Sequence, residues 1–384
     1  MAVPLLDIGR QHAPIAGELR AVLDRALEGS RFIKGPEMEA LESEFAEYCR
    51  SRHAAACASG TDALILSLMA LRIGPGDLVV TTPFTFFASA GAVVRAGGIP
   101  AFVDIRGDTF NMDPAALRLW LESRCALTDR GAVEKATGRR IAAVMPVHLF
   151  GQVADMDAIL PLCDEWGLPV LEDACQSVGA RWRNRLAGSI GRLGAFSFFP
   201  SKNLGALGDA GMVTTEDDDL AGRVVMLREH GGQGYIHREI GFNSRMDALQ
   251  AGFLRVKLSR VDAWHEGRRR NAAFYDEAFA DLGEVRTPFV DPRAWSVYNQ
   301  YTLRAVDRDG LMADLRAKGI GCAVYYPLPL HLQECFAPLG HSAGDFPESE
   351  AAAAEVLSLP VFGELTRSEL EEVVSRVRSH YGRG

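Results

Sequence analysis

The sequence predicts an α/β fold built on a mostly parallel sheet. Short apolar runs typical of buried strands occupy residues 78–81, 100–104, 141–147 and 169–172. Stretches with helical spacing cover residues 61–71, 86–96, 114–122 and 156–166. Continuous apolar strands that alternate with helices are typical of a sheet covered by helices on both faces. Ligands of such sheets bind beyond the carboxyl ends of the strands, where we expect Asp104, His148 and Asp173.

The last third of the chain has a different pattern. One long helix with charges on one side is predicted from about Met246 to about Leu282, and Pro288 and Pro292 follow it. Beyond them we expect strands at 296–305 and 322–326 and helices at 310–318, 349–358 and 369–380. The sequence therefore predicts a large α/β domain with an N-terminal arm at 1–250 and a small α+β domain at 251–384. The polar segment 123–139 is predicted to be an irregular surface insertion.

Composition excludes several classes of protein. The 384 residues are 48% hydrophobic and 24% charged, and the net charge of −9 argues against nucleic-acid binding. The seven cysteines contain no CxxC pair, which favours free thiols in a reducing compartment over disulfides or a zinc site. The N-terminus lacks a signal-peptide pattern, and no segment reaches the roughly 18 apolar residues of a membrane span. We expect a soluble cytoplasmic protein without a metal site.

The most informative residue is Lys202, which stands in the run Phe196-Ser-Phe-Phe-Pro-Ser-Lys-Asn-Leu-Gly-Ala-Leu-Gly-Asp-Ala-Gly211. Upstream, the pair Glu172-Asp173 ends an apolar strand. A lysine can form a Schiff base with an aldehyde cofactor, and a carboxylate can supply the charge that a pyridine ring needs to act as an electron sink. A single lysine between small residues is more often a solvated surface residue. Further candidate groups along the chain favour the catalytic interpretation.

Each of these further groups also has an ordinary structural explanation. Gly60-Thr61 precedes an apolar helix and can bind a phosphate or simply cap the helix. Phe86 follows a strand and can stack on a planar cofactor or pack in the core. Ser197 offers a hydroxyl, and Asn243 offers an amide in a turn, where asparagine is usually conformational. Taken together, the phosphate-binding groups, aromatic ring, acid and lysine indicate pyridoxal 5′-phosphate.

Motifs along the whole chain carry a family resemblance. They are Phe32-Ile-Lys-Gly-Pro-Glu37, Ser59-Gly-Thr-Asp-Ala-Leu64, Thr85-Phe86, Phe102-Val-Asp104, Pro146-Val-His-Leu-Phe-Gly151, Glu172-Asp-Ala-Cys-Gln176, Ser197-Phe-Phe-Pro-Ser-Lys-Asn-Leu-Gly205, Gly208-Asp-Ala-Gly211, Asn243-Ser-Arg-Met-Asp247 and Tyr326-Pro-Leu-Pro-Leu-His331. With them the sequence resembles the pyridoxal-phosphate-dependent nucleotide-sugar aminotransferases of fold type I, in the aspartate aminotransferase superfamily. The resemblance implies that fold, with a mostly parallel mixed sheet between helices and a smaller C-terminal domain.

The resemblance also implies a role for each cofactor residue. Lys202 would form the Schiff base, and Asp173 would pair with the pyridine nitrogen. Phe86 would stack on the ring, and Gln176 would contact the phenolic oxygen of the cofactor. The implied phosphate ligands within the chain are Gly60, Thr61 and Ser197.

Other implied residues contact the substrate or come from a second subunit. Asn243 resembles the phosphate ligand that a neighbouring subunit donates, which implies a homodimer with shared active sites. Tyr326 and His331 match the segment that reaches the sugar nucleotide. Lys34 and Arg238, with His331, are the candidate cations for a diphosphate. Lys34 replaces a residue that is commonly apolar in the family, and Cys175 replaces a small alanine.

The activity implied by the resemblance is transfer of an amino group from L-glutamate to a nucleotide-diphospho-keto-sugar. Lys202-Asn-Leu-Gly205 with Gly208-Asp209 is similar to members that aminate C3. The segments 198–201 and 296–301 resemble enzymes that act on UDP-2-acetamido-3-keto-hexoses or their uronates, in the biosynthesis of amino sugars and cell-surface polysaccharides. The segment 327–331 also occurs in members that use dTDP-3-keto-6-deoxyhexoses, which is the alternative substrate class.

Four other functions remain as alternatives. A sugar dehydratase of the same fold would carry histidine in place of the Schiff-base lysine, and Lys202 argues against it. A regulatory protein could bind the cofactor without turnover; a fused DNA-binding segment or a missing aspartate would favour it. A cysteine desulfurase needs a reactive cysteine on a mobile loop, and the surroundings of Cys322 and Cys335 do not provide one. The last alternative is an α/β protein without a cofactor.

Overall fold

The computed structural model describes residues 2–129 and 131–383. Its α-helices are α1 Ile8–His12, α2 Ala16–Gly29, α3 Pro36–Cys49, α4 Gly60–Ala70, α5 Ala88–Arg95, α6 Pro114–Arg124, α7 Met156–Glu165, α8 Asp218–Leu227, α9 Ala248–Leu258, α10 Val261–Ala278, α11 Arg308–Ala317, α12 Pro347–Glu355 and α13 Arg367–His380. Short 3-10 helices cover Ala13–Ile15, Leu149–Gly151, Leu330–Leu332 and Glu334–Leu339. In the described ranges, no helix is both long and apolar enough to cross a membrane.

The strands divide between a large N-terminal sheet and smaller ones. They are β1 His53–Cys57, β2 Leu78–Thr81, β3 Ile99–Phe102, β4 Cys125–Thr128, β5 Gly131–Glu134, β6 Ile141–Val144, β7 Leu171–Asp173, β8 Arg181–Trp182, β9 Arg185–Leu186, β10 Leu193–Ser197, β11 Gly211–Thr215, β12 Gly232–Gln233, β13 Ile236–His237, β14 Val285–Arg286, β15 Ala294–Trp295, β16 Tyr301–Ala305 and β17 Val356–Leu359.

The large sheet follows the predicted α/β architecture. Strands β3-β2-β6 form one part and β1-β11-β10-β7 the other. Parallel bridges Val144–Val170 and Val147–Asp173 join the two parts. Pairing is parallel from β3 to β10, whereas β11 runs antiparallel to β10 and β1. Apolar residues of these strands pack against α3, α4, α6 and α7 on two sides, so the sheet is a mixed, mostly parallel layer between helices, as predicted.

Several predicted elements differ from the structure. The long helix predicted from 246 to 282 is two helices, because α9 ends before Ser259, whose hydroxyl donates to the Val256 carbonyl at 3.0 Å and competes with helical bonding. Residues 349–358 are not one helix, since the chain leaves α12 and enters β17, where it pairs with β16. Residues 322–326 are not a strand; Ala323 bridges to Ser358 within an otherwise irregular segment.

The predicted irregular insertion at 123–139 contains a β-hairpin. Strands β4 and β5 pair antiparallel, with Thr128 opposite Gly131. Gly131, at the start of β5, has a φ of +96°, a conformation that glycine adopts at no steric cost. Each of the two strands has only four residues, which is too short for a clear alternation of apolar and polar residues.

A second core lies in the C-terminal part of the chain. The antiparallel sheet β14-β16-β17 packs with α10, α11 and α13 around buried Tyr275, Tyr301 and Leu303. The N-terminal segment joins this core through Val3, which is fully buried. Helix α9 packs on α2 and α3 of the large domain instead. The division at residue 250 stays a prediction, since α9 and α10 connect the two cores.

Candidate active site

The N-terminus of α4 forms a cradle for an anion. The Ser59 side chain caps the helix by accepting from the Asp62 amide at 3.1 Å. The amides of Gly60 and Thr61 stand in the first turn, where N–H groups have no carbonyl partner within the helix. Because Ser59 already supplies the cap, these two amides and the Thr61 hydroxyl are available to a phosphate.

Strand β10 closes this cradle from the other side. Its last residue, Ser197, lies so near Gly60 that a Cβ on Gly60 would stand 2.5 Å from the Ser197 Cβ. A Cβ on Gly211 would likewise stand 2.2 Å from the Ser59 carbonyl oxygen. Glycine at both positions therefore lets the helix N-terminus and the Ser197 hydroxyl approach one another. The structure brings together the three phosphate ligands implied by the resemblance.

Asp173 ends β7 beside a chain of buried hydroxyls. Its Oδ2 accepts from Ser89 Oγ at 2.7 Å, and its Oδ1 accepts from the Cys175 amide at 3.2 Å. Ser89 Oγ lies 3.0 Å from Thr85 Oγ1. Since the single hydroxyl hydrogen of Ser89 is given to the carboxylate, Thr85 must donate to Ser89. Two hydroxyls thus hold the carboxylate in one orientation.

Glu172, the neighbour of Asp173, points into the core. It is fully buried and accepts from the amides of Gly188, Ile190 and Gly191 at 2.6–2.9 Å. It also lies 2.8 Å from His148 Nε2. The His148 Nδ1 accepts from the Ala154 amide at 3.1 Å, so Nε2 carries the hydrogen and donates to Glu172. Strand alternation therefore separates the pair: Asp173 faces the site, and Glu172 and His148 stabilise the loop after β9.

Lys202 stands in the turn after β10. Its amide donates to the Phe199 carbonyl at 2.8 Å, and its side chain lines the same cavity as Asp173. Burial lowers the pKa of the Lys202 amine below its usual value, against the opposing effects of Cys175 and Asp173. The amine makes no hydrogen bond with any described residue. A buried amine without a hydrogen-bond partner among the described residues is suited to attack an aldehyde.

The cavity between these residues has a volume of about 500 Å³. Phe86 lies at its mouth with 56% of its surface exposed, and its ring is 6.1 Å from that of Tyr326. Gln176 donates to the Tyr326 hydroxyl at 2.9 Å and accepts from the Phe150 amide at 2.8 Å. Burial raises the pKa of the Tyr326 phenol, which therefore keeps its hydrogen and can donate to a ligand.

Four of the predicted site residues lie outside this lining. Asn243 is exposed and bridges to Glu229, and the Lys34 ammonium pairs with the same Glu229. Arg238 is exposed just after the short hairpin β12–β13. His331 is buried among apolar residues, and its Nε2 lies 3.1 Å from Glu350. Within one chain, the structure does not bring these four side chains to Lys202.

The lining also contains residues to which the sequence analysis assigned no role in this site. They are Ser59, Leu64, Thr85, Ala88, Ser89, Val147, Cys175, Phe199, Ser201, Asp209, Gln300 and Tyr325. Ser89 could have been predicted from the sequence as a site residue, because it stands four residues, or one helical turn, after Thr85 in the segment that contains Phe86. Gln300 could not, since it reaches the cavity from the C-terminal part of the chain through tertiary packing.

A larger groove of about 690 Å³ lies elsewhere, against α3, α9 and α10. Its lining is highly charged, and the charges pair with one another: Arg255 binds Glu37 and Glu44 at 2.6 Å. None of the predicted site residues lines it. The smaller cavity is the candidate active site because it holds the amine, the acid and the helix N-terminus together.

The donor set of the cavity fits pyridoxal 5′-phosphate. The helix N-terminus and Ser197 match a phosphate, and the rigidly held Asp173 matches a protonated pyridine nitrogen. The exposed Phe86 ring matches the face of a flat ring, and the Lys202 amine matches the aldehyde. Each chemical feature of the cofactor thus has a complementary group in this cavity.

Comparison with known proteins agrees with this geometry. Residues 14–378 match the model of the DegT/DnrJ/EryC1/StrS aminotransferase family. The chain is similar to the crystal structure of DesV from S. venezuelae in complex with a ketimine intermediate, with a TM-score of 0.92, 39% identity and 98% of each chain covered.

Three curated relatives align along nearly their whole length. A protein named pleiotropic regulatory protein from Geobacillus stearothermophilus is 45% identical over 99% of both chains. The dTDP-3-amino-3,4,6-trideoxy-alpha-D-glucose transaminase of Streptomyces venezuelae is 40% identical over 98% of this chain and 95% of its own. The UDP-N-acetyl-3-dehydro-alpha-D-glucosamine 3-aminotransferase of Acidithiobacillus ferrooxidans is 41% identical over 98% of this chain and 97% of its own.

These findings confirm the predicted fold type, the predicted cofactor pyridoxal 5′-phosphate and the predicted sugar-nucleotide aminotransferase class. The dehydratase and desulfurase alternatives are not supported. From the family match and the assembled site together, the chain belongs to the DegT/DnrJ/EryC1/StrS aminotransferase family.

Proposed function

We propose that this chain transfers an amino group from L-glutamate to C3 of a UDP-linked 2-acetamido-3-keto sugar or its uronate. The observation that carries the proposal is that Lys202 and Asp173 line one cavity beside the N-terminus of α4. That arrangement supports amino transfer. The substrate is supported by the motifs around Lys202 and by the names of relatives that act on 3-keto nucleotide sugars.

Each predicted cofactor residue that lines the cavity has a role in this proposal. Gly60, Thr61 and Ser197 hold the cofactor phosphate, and Asp173 accepts a hydrogen bond from the pyridine nitrogen. Pyridoxal phosphate, when bound, supplies an electron sink for the carbon from which a proton is removed. Phe86 covers one face of the ring, and Gln176 binds the phenolic oxygen.

Lys202 has two tasks in this proposal. Its amine would hold the cofactor covalently in the resting enzyme and would be released when an amino donor binds. Once freed, the Lys202 amine would be the group that takes the α-proton from the amino donor and returns it in the second half of the transfer. Burial lowers the pKa of this amine below its usual value, which favours its role as a base.

The charge of the lining supports a second subunit in the site. Among the described lining residues Lys202 is the cation, whereas Asp173 and Asp209 are acids. A nucleoside diphosphate carries negative charge that needs cationic partners. Lys34 pairs with Glu229 and His331 is buried, so Arg238 is the candidate of the three whose exposed side chain has no partner among the described residues. We propose that Arg238 and Asn243 act on the active site of the partner subunit.

An exposed apolar surface surrounds these two residues. Tyr235, Ile236 and Ile240 are at least three-quarters exposed on the segment that carries Arg238. Nearby, Phe32 and Ile33 are half exposed, and they are joined to the stretch after Asn243 by the Ile33–Asp247 bridge. Contiguous exposed apolar residues are typical of protein interfaces. A homodimer in which this surface is buried would move the apolar residues out of water, and light scattering on the purified protein measures that assembly.

The name of one relative favours a second candidate function. The pleiotropic regulatory protein is 45% identical over the whole chain, which supports a protein that binds the cofactor and regulates without turnover. The two candidates differ in one observable. An aminotransferase converts bound pyridoxal phosphate to the amine form with glutamate, whereas a regulator without turnover leaves it unchanged.

The decisive experiment uses the purified protein loaded with pyridoxamine phosphate. UDP-2-acetamido-3-keto-hexose, its uronate, a dTDP-3-keto-6-deoxyhexose and a 4-keto isomer are added separately, and the visible absorbance of the aldehyde form is followed. We expect the UDP-linked 3-keto compounds to restore it. Restoration by the dTDP sugar alone would establish the alternative substrate. Restoration only by the 4-keto isomer would refute amination at C3, and no restoration by any sugar would favour the regulator.

A further inference from the structure

Lys257, near the end of α9, is a lysine with 0% of its surface exposed. Burying an ammonium is costly unless hydrogen bonds replace the lost water. Burial lowers the pKa of Lys257 to about 8, and no carboxylate counteracts this effect. Among the described residues its ammonium makes no ion pair; its partners are two neutral acceptors. A side chain kept buried in this way indicates that its hydrogen bonds have a specific role.

The first acceptor is the carbonyl oxygen of Gly205. Gly205 lies three residues after Lys202 in the same loop, and a Cβ there would stand 2.4 Å from the Pro200 carbonyl oxygen. The loop therefore folds back on itself around the catalytic lysine. Its ends are joined by the bond from the Ala206 amide to the Phe198 carbonyl at 2.7 Å. Lys257 thus donates to the Lys202 loop next to the residue, Ala206, whose amide closes the loop.

The second acceptor is Nε2 of His12, at 2.8 Å. Burial, helped by the neighbouring ammonium, lowers the pKa of His12 to about 4, so the ring is neutral near pH 7. Because Nε2 accepts from Lys257, the ring hydrogen lies on Nδ1. His12 is the last residue of α1. Lys257 therefore connects the Lys202 loop to the N-terminal arm.

Two other side chains hold the same loop. Gln250, two turns earlier on α9, accepts from the Leu207 amide at 2.8 Å. Asn203 donates to the Val297 carbonyl at 2.9 Å, towards the C-terminal part of the chain. Lys257 differs from both, because it is a lysine and contacts two segments at once, the Lys202 loop and α1.

We propose that Lys257 is a positioning residue for Lys202, which fixes the loop between helix α9 and the N-terminal arm by bridging Gly205 to His12. The inference rests on the proposed function, in which the Lys202 amine must leave the cofactor and return to it. While the amine is detached, the backbone of its loop determines where it points. A displacement of about 1 Å at a reacting group costs roughly 100-fold in rate.

The test compares Lys257→Met, which keeps the length of the side chain and removes its donors, with Lys318→Met at an exposed site at the end of α11. In the protein without cofactor, hydrogen exchange of the amides from 203 to 207 is measured by mass spectrometry. We expect exchange to be at least about 10-fold faster in Lys257→Met and unchanged in Lys318→Met.

The second measurement is the rate at which added pyridoxal phosphate becomes covalently attached to Lys202, trapped by borohydride and located by peptide mapping. We expect Lys257→Met to slow attachment about 10-fold or more, while the affinity for the non-covalently bound cofactor stays within about 2-fold. A purely structural role would lower the melting temperature and leave the attachment rate unchanged.

A second variant protects the test against misfolding. His12→Leu keeps the bond from Lys257 to Gly205 and removes the other acceptor, and we expect it to change both measurements in the same direction by a smaller factor. If folded Lys257→Met exchanges its loop amides and attaches the cofactor at wild-type rates, the inference is wrong. If Lys257→Met does not fold, wild-type exchange and attachment rates in His12→Leu overturn the inference instead. If wild-type protein attaches the cofactor but does not react with keto sugars, the proposed function fails while these two measurements still decide the role of Lys257.

Discussion

The close approach of Gly60 to Ser197 gives the sharpest prediction from this structure. In Gly60→Ala the added Cβ would stand 2.5 Å from the Ser197 Cβ, 2.9 Å from its Oγ and 3.0 Å from its Cα. Carbon atoms normally pack at about 3.5–4.0 Å, so the overlap is about 1 Å or more. The clash involves atoms next to the backbone of β10, so a rotamer change of Ser197 cannot relieve it. The helix N-terminus and the strand must separate.

The structure also sets the expected size of the effect. Overpacking of this kind costs about 1–3 kcal/mol of stability. Separation by about 1 Å also weakens charge-assisted hydrogen bonds to the phosphate, each of which contributes about 1.5–3 kcal/mol. The loss of one such bond corresponds to roughly 10-fold to 100-fold in affinity. We therefore expect Gly60→Ala to bind pyridoxal phosphate at least about 10-fold more weakly than the wild type.

The assay is titration of the cofactor-free protein with pyridoxal phosphate by visible absorbance, together with urea unfolding. Gly222→Ala is the matched control, because nothing lies within 4 Å of its Cβ position in α8; it should gain about 1 kcal/mol from helix propensity and keep its affinity. Adding Ser197→Gly to Gly60→Ala should restore part of the stability and none of the affinity. Wild-type affinity in Gly60→Ala would refute the cradle.

Three further predictions concern the carboxylate, the second subunit and the pH range of stability. Ser89→Ala leaves Oδ2 of Asp173 without its donor and should weaken cofactor binding by roughly 10-fold. Ser89→Thr keeps the hydroxyl and is the matched control. Equal cofactor affinities of the two variants in the absorbance titration would contradict a role of the Ser89 hydroxyl in holding Asp173. Lys202→Ala and Asn243→Ala proteins, each inactive alone, should regain about a quarter of wild-type turnover after mixing and subunit exchange. Half of the dimers are then mixed, and one of the two sites in each mixed dimer is intact. No recovery of turnover in exchanged dimers would refute shared sites. The Arg10 guanidinium lowers the pKa of Glu369 from its ordinary 4.5 to about 2, so this carboxylate stabilises the fold above pH 4.5 and loses that contribution as the pH falls towards 2. Glu369→Gln should therefore cost about 1–2 kcal/mol of unfolding free energy at pH 7 in urea and flatten the pH dependence of stability between pH 4.5 and 2. Glu371→Gln, in an exposed ion pair on the same helix, should cost less than about 0.5 kcal/mol. Equal losses in the two variants would contradict a special stabilising role of the Arg10–Glu369 pair.

Local sequence was enough for four strands of the large sheet, β2, β3, β6 and β7. The apolar runs at 78–81 and 141–147 contain strands β2 and β6, because a strand that is covered by helices on both faces is apolar along its whole length. Strand β1 was not predicted, because His53-Ala-Ala-Ala-Cys57 has no β-branched residue and little periodicity. It forms a strand through its pairing with β11, a contact between residues far apart in the chain.

The site divides in the same way. Lys202, Asp173 and the Gly60-Thr61 helix start were predicted from the sequence as cofactor ligands, because a pyridine aldehyde needs such groups, and the structure places them around one cavity. Sequence could not show that Ser89 holds Asp173, that Glu172 turns into the core or that Gln300 reaches the cavity. Nor could it show that His331 is buried beside Glu350. Those outcomes depend on which side chains meet across strands and domains, and only tertiary packing decides that.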